Sequence, residues 1–402
     1  MLVNDTPNYG GTAPNGTVPE EEEDMSHTMI IVAKGIVLCL IITAAILGNL
    51  LIIISVYRIH KLRITTNYFI VSLAVADILV AIFAMSFNAF YTVTESWEFP
   101  LWTCDLWNSC DVLFSTASIL HLCCISVDRY YAIVKPFEYP NVIKKKTVVI
   151  MLVTVWVSSG LISFIPIFLG WYTTAEHLAE RYKNPKECAF VVNKPYAVVS
   201  SCVSFWVPSF IMIAAYVRIF VEATRQEKMI CANQIAAAIP QYPRNSTDTT
   251  AQMMVTMPND RRNSHINECD EHATPIKRSI NKMKREHKAA KTLGIIMGVF
   301  IFCWLPFFIW YVTEALCESC KSPDIIVAIL FWIGYFNSSL NPIIYAYFNR
   351  DFREAFQDTL NCLCRHCEKA CTRKNRNDVH FNCTYRSTQD IGIVQNNRVR
   401  DI

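Results

Sequence analysis

Seven stretches of this 402-residue chain are almost free of charge, and that pattern constrains its fold more than any other feature. Gly35 to Tyr57, Thr147 to Ala175, Pro195 to Val217, Thr292 to Thr313 and Ile325 to Asn349 carry no Asp, Glu, Lys or Arg. Ile64 to Thr94 carries one, Asp77, and Leu106 to Val127 carries one, Asp111. Each run reaches the roughly 20 residues a helix needs to cross about 30 Å of hydrocarbon. A soluble helix seldom stays uncharged that long, because one of its faces meets water. Seven such runs, with Trp and Tyr near their ends, do not pack into a soluble domain of this size. The expected fold is an all-α membrane protein, a bundle of seven transmembrane helices.

Charges elsewhere orient the bundle. Arg58, Lys61 and Arg63 follow the first span, and Arg129, Lys135 and Lys144 to Lys146 follow the third. Lys282, Lys284, Arg285, Lys288 and Lys291 precede the sixth. Glu20 to Asp24, Glu95, Glu98 and Asp105 lie on the other side. The positive-inside rule then places the amino terminus outside and the carboxyl terminus in the cytoplasm. The net charge is only +3, which argues against a nucleic-acid partner.

The expected organisation is an outer tail (residues 1–28), a seven-helix domain (29–348) with a flexible third inner loop (218–288), an amphipathic surface helix (349–361) and a cytoplasmic tail (362–402). With no apolar run before residue 29, no cleaved signal peptide is expected, and the first span serves as its own signal. Asn4 and Asn15 stand in glycosylation acceptors on the outer face. Phe352, Phe356 and Leu360 recur at i, i+4, i+8, which makes the surface helix. Cys362 and Cys364, with Cys367 and Cys371, follow it; cysteines there are palmitoylation candidates or plain thiols. Cys104 and Cys188 both face the oxidising side, so a disulfide is expected; Cys317 and Cys320 face outward too, as a second small ring or two thiols. No metal site is expected, since the outward pair lacks a second ligand pair.

Ionisable groups inside a bilayer are functional candidates because each costs about 2.5–3.5 kcal/mol at a helix centre. Asp111 lies seven residues below Cys104, about 10 Å along a helix. It has no Lys or Arg partner within any span. It suits a cationic ligand arriving from outside; the alternative is a protonated, packed carboxyl. Asp77 lies deeper, and Ser118, Asn337, Ser338 and Asn341 offer further oxygens for a sodium ion or a plain polar network. Ser200, Ser201 and Ser204 precede Pro208 on the fifth span and would hydrogen-bond a phenol, or else their own backbone. Trp304, Phe307, Phe308 and Tyr311 form an aromatic stripe on the sixth span, with Phe331, Trp332 and Tyr335 on the seventh. Such stripes usually serve as core, and opposite a lone Asp they also form a cage for an amine.

Together these residues resemble a rhodopsin-like (class A) G-protein-coupled receptor. The matching motifs run in order, about one set per span: Gly48-Asn49, Leu73 to Asp77, Asp128-Arg129-Tyr130, Trp156, Pro208, Cys303 to Pro306 and Asn341 to Tyr345. Asp128 to Tyr139, Ile167 to Thr174, Phe190 to Lys194, Lys288 to Pro306 and Phe331 to Phe356 are most similar to the invertebrate beta-adrenergic-like octopamine receptors. Phe331 and Tyr311 stand where vertebrate adrenergic receptors usually carry asparagine, which points away from adrenaline.

The resemblance implies that Asp111 pairs with the ligand ammonium and that Ser200 and Ser204 meet the phenol, with Val112 and Ser115 also in the pocket. Trp304 with Ile119, Pro208 and Phe300 would be the packing switch beneath it. Asp128 and Glu286 would hold Arg129 at rest, beside Tyr130, and Tyr216 and Tyr345 would receive it on activation. Pro136 and Phe137 would fit the stimulatory G protein, raising cyclic AMP. A sodium modulator, receptor kinases, arrestin and membrane lipid are the other implied partners, with no further cofactor. Tyramine, dopamine, an adrenaline-like amine and serotonin are the alternative ligands. An opsin would need a Lys in the last span, and none lies there. A transporter would show repeats and broken helices, and an enzyme a nucleophile with its base or a metal cluster. His121 is the one His inside a span and reads as a satisfied core residue.

Overall fold

A computed structural model describes residues 20–238, 275–317 and 319–372; of residues 20–27, 230–238, 275–290 and 365–372 the backbone alone is described. Among these residues seven helices are long and apolar enough to cross a membrane. They are α1 (Thr28–Arg58), α2 (Asn67–Thr94), α3 (Leu101–Val134), α4 (Lys145–Phe168), α5 (Lys194–Met229), α6 (Lys291–Leu316) and α7 (Asp324–Phe348). An eighth helix, α8 (Arg350–Thr372), follows at once.

The bundle is turned inside out relative to a soluble protein. Leu40, Leu47, Phe210, Phe302 and Ile343 are exposed, while Asn49, Asp77, Ser118, Asn337 and Asn341 are buried. With lipid as the solvent, apolar groups lose nothing by facing outward, and polar groups must pair internally. α3 packs on α2, α4, α5 and α6, so its residues line much of the interior. At Gly48 of α1, an added Cβ would lie 2.7 Å from the Pro342 ring on α7, so only glycine permits this approach.

Two helices depart from α geometry where the interior needs it. α2 carries a π turn at Val80–Met85 and α5 one at Cys202–Trp206. The second sits just before Pro208, whose ring has no N–H to continue the ladder.

The helices run further than the sequence boundaries. The first helix begins at Glu20 rather than at residue 29. The fifth continues to Ala238 and the sixth starts at Pro275, so both ends of the loop expected at 218–288 are helical. α8 continues past residue 361 to Thr372. Once packing has nucleated a span, each further residue adds one hydrogen bond, and the end of an apolar run is no stop signal. On α8, Phe352 and Phe356 are buried as a pair, but Leu360 faces outward; Thr359 takes the buried place and accepts from Ser55 of α1 at 3.1 Å.

Candidate functional site

A cavity of about 60 Å³ opens within the bundle between α3, α5, α6 and α7. Its wall includes Asp111, Val112 and Ser115 on one side, Ser200 and Ser204 on the other, and Phe300, Trp304, Phe307, Phe308, Tyr311 and Phe331 between. The Asp111 carboxylate accepts from the Tyr335 hydroxyl at 2.8 Å and from Ser115 at 3.5 Å. Across the cavity, Ser200 and Tyr311 share a hydrogen bond of 3.1 Å, and Thr116 donates to Ser204 at 2.8 Å. Ser200 and Ser204, four residues apart, share one face of α5 and both line the cavity. Ser201 turns away and donates to its own helix at Val198 O, 3.0 Å. The rings pack edge to face: Trp304 on Phe307 at 5.6 Å and Phe307 on Phe331 at 4.8 Å. The result is an apolar slot with an anionic end and a hydroxyl-bearing end, shaped for a flat aromatic cation.

One layer deeper, Asp77 is fully buried. Asn341 donates to it at 2.8 Å and Ser118 at 3.4 Å, and Ser338 lies close by. Asn337 is buried in the same layer, and the Tyr345 hydroxyl is buried with no hydrogen-bond partner. Above it, Ile119 and Phe300 are closed core residues, and Phe300 sits 6.3 Å from Trp304, centroid to centroid. His121 is satisfied within the core: its Nδ1 bonds Ala117 O at 2.6 Å and its Nε2 bonds Ser72 Oγ at 2.7 Å.

At the end of the bundle where α8 lies, Asp128 is fully buried and ion-paired with its neighbour Arg129. Arg129 also donates to Thr66 at 2.6 Å, and Tyr139 donates to Asp128 at 3.1 Å. Burial pushes the Tyr139 hydroxyl above its usual range, so it stays a donor. Tyr130 takes no part in this cluster and packs instead beside Ile133 and Ile219. The Tyr216 ring lies against Gly294 of α6, where an added Cβ would overlap it. The Glu286 side chain lies outside the described residues. Pro136 is exposed, and Phe137 stands 94% exposed on the loop after α3.

At the opposite end, Cys104 of α3 is bonded to Cys188 of the loop before α5, and Cys317 is bonded to Cys320. Trp97 stacks on Trp107 beside the first bridge at 5.3 Å. A short helix in that loop, Ala175–Lys183, carries Arg181, which is 8% exposed. Arg181 pairs with Asp105 on the first turns of α3 at 2.9 Å and donates to Tyr172 at 3.1 Å. Burial raises the Tyr172 hydroxyl, and the guanidinium pulls it back. Phe190 stacks on Tyr172 at 5.3 Å, next to Val112 of the cavity wall.

A family model described as 7 transmembrane receptor (rhodopsin family) matches residues 48–345. The chain belongs to that family. It is therefore a multi-pass receptor of the plasma membrane and not an enzyme. The receptor is 57% identical to "Octopamine receptor beta-2R" of Drosophila melanogaster over 85% of its own length and 63% of that relative's. It is 54% identical to "Octopamine receptor beta-2R" of Chilo suppressalis over 83% of its length and 81% of the relative's. "5-hydroxytryptamine receptor 4" of Cavia porcellus is 41% identical over 80% of the receptor's length and 78% of the relative's.

The receptor brings together most of the residues singled out from its sequence, with differences at four residues. Ser201 and Tyr335 are not part of the cavity wall, although Tyr335 supports Asp111 from behind. Thr116 is part of the wall and was not anticipated; its position four residues after Val112, about one turn on, was the only hint. Arg181 also escaped notice, because a loop arginine looks solvated until its partners are known. Cys362 is half-buried and Cys364 exposed at the outer part of α8, and Asn4 and Asn15 lie outside the described residues.

Proposed function

We propose that this chain is a cell-surface receptor for octopamine that couples to the stimulatory G protein and raises cyclic AMP. One observation carries the reading: a carboxylate, Asp111, faces two hydroxyls, Ser200 and Ser204, across a slot of aromatic rings. Octopamine carries an ammonium at one end and a phenol at the other. Asp111 binds the ammonium within the cage of Trp304, Phe307, Phe308 and Phe331, and Ser200, Ser204 and Tyr311 bind the phenol. The relatives named octopamine receptor beta-2R support this choice over serotonin, whose indole is the second reading favoured by the more distant 5-hydroxytryptamine relative.

The disulfide end faces outward and α8 faces the cytoplasm. Agonist binding shifts the packing of Trp304, Ile119, Pro208 and Phe300 and releases Arg129 from Asp128 toward Tyr216 and Tyr345. The agonist drives this only through its higher affinity for the active arrangement. The exposed Phe137, with Pro136, is the contact for the G protein, as the resemblance to the receptor family implies. Receptor kinases and arrestin act on the same cytoplasmic face, Cys362 and Cys364 carry palmitoyl chains in the inner leaflet, and the outer tail is glycosylated at Asn4 and Asn15. At Asp77, the oxygens of Ser118, Asn337, Ser338 and Asn341 would form a hard donor set suited to sodium.

The test is to express the chain in cells, apply octopamine, tyramine, dopamine, serotonin and adrenaline, and record cyclic AMP. Octopamine should act at the lowest concentration. A response to none of them, or a preference for serotonin, would overturn the assignment.

A further inference from the structure

Octopamine differs from tyramine by one hydroxyl, carried on the carbon next to the ring, and that carbon is a stereocentre. The inference here rests on octopamine as the ligand and asks which residue reads that hydroxyl. With the ammonium at Asp111, the hydroxyl lies two carbons from the nitrogen, so its reader must stand at the Asp111 end of the cavity.

Five hydroxyl-bearing residues line the cavity: Ser115, Thr116, Ser200, Ser204 and Tyr311. Four pair with one another on the α5 side, Thr116 with Ser204 and Ser200 with Tyr311. Ser115 stands apart, one helical turn from Asp111 and half-buried in the wall. Its hydroxyl reaches Asp111 Oδ1 at 3.5 Å, the outer limit of a hydrogen bond. Other serines in the spans return their hydroxyl to the carbonyl four residues back: Ser118 to Phe114 at 3.0 Å, Ser126 to Leu122 at 2.7 Å, Ser163 to Ser159 at 2.8 Å. Ser115 instead points along the cavity toward a side chain, with a long bond that a better partner displaces readily. Its lone pairs accept while its proton donates. Tyr335 also touches Asp111, but it is fully buried behind the wall and its proton is held by Oδ2 at 2.8 Å. Of the other groups at this end, Val112, Phe307, Phe308 and Phe331 are apolar, and the Trp304 indole can only donate, whereas a serine hydroxyl both donates and accepts.

We propose that the Ser115 hydroxyl reads the beta-hydroxyl of the bound amine and is the residue that separates octopamine from tyramine. A site built around a hydroxyl discriminates against the analogue that lacks it, because the site's own polar group is then left unpaired.

The experiment measures cyclic AMP responses to both octopamine enantiomers and to tyramine in the wild type, Ser115→Ala and Ser115→Thr, at matched surface expression. In Ser115→Ala the half-maximal concentration of the preferred octopamine enantiomer should rise about tenfold, with tyramine moving less than about twofold. The preference between enantiomers should narrow, and Ser115→Thr, which keeps the hydroxyl, should restore it. Equal shifts for octopamine and tyramine, or an unchanged enantiomer ratio, would overturn the proposal. A wild type that responds to octopamine with those results leaves the ligand assignment standing. A wild type silent to octopamine overturns both.

Discussion

Tyr335 on α7 donates its hydroxyl to Asp111 on α3 at 2.8 Å, joining two helices that are 224 residues apart in the chain. The bond fixes the one carboxylate of the cavity with an oxygen facing inward. It also lets that carboxylate sit within the bilayer span without a basic partner, since a buried polar group must be hydrogen-bonded.

Removing the donor should loosen that carboxylate. Hydrogen bonds to charged groups contribute about 1.5–3 kcal/mol. In Tyr335→Phe the ring stays against Trp304, 6.5 Å away, and only the hydroxyl is lost. The expected result is about a tenfold rise in the octopamine concentration needed for half-maximal cyclic AMP, with surface expression near normal. An unchanged concentration–response curve would show that Asp111 is positioned without Tyr335.

Gly48→Ala tests the close approach of α1 and α7. Its Cβ would lie 2.7 Å from the Pro342 ring, which has no rotamer through which to escape. Overpacking of this kind costs about 1–3 kcal/mol. Thermal unfolding of the purified receptor in detergent should shift downward, while Gly298→Ala on α6, with open space at its Cβ, should leave it unmoved or raise it slightly. Equal midpoints for the two variants would contradict the packing described.

The seven spans could be read from the distribution of charge alone, because a bilayer imposes its thickness on every helix that crosses it. Asp77 and Asp111 could be read for the same reason: each breaks an apolar run. Helix ends were less legible, since nothing in the chain marks where a helix that has left the lipid must stop; Ala238 and Thr372 lie well beyond the apolar runs. Side-chain direction was the other gap. Ser200, Ser201 and Ser204 look alike in sequence, yet Ser201 sits about 100° round the helix from Ser200 and is not part of the cavity wall. Thr116 and Arg181 take their roles from partners 88 and 76 residues away, Ser204 and Asp105, which no local pattern encodes.

Arg181 provides a separate prediction about the loop over the cavity. Removing it leaves Asp105 without its ion pair and Tyr172 without its donor, and an unpaired polar group of this sort costs about 1–3 kcal/mol. Arg181→Ala should therefore speed release of a bound amine, measured as the dissociation rate of a radioligand, because Phe190 loses the support of Tyr172. The exchanged pair, Asp105→Arg with Arg181→Asp, should recover part of the loss. Dissociation rates equal to wild type in the single variant would remove this loop from control of the cavity.

The most direct test of the whole account is the charge on Asp111. Asp111→Asn keeps the shape of the side chain and still accepts from Tyr335, but it cannot pair with an ammonium. A shielded charge pair that loses one partner costs about 2–5 kcal/mol, so octopamine should need roughly thirty-fold or more higher concentration to raise cyclic AMP at matched surface expression. An octopamine response in Asp111→Asn indistinguishable from wild type would contradict the account.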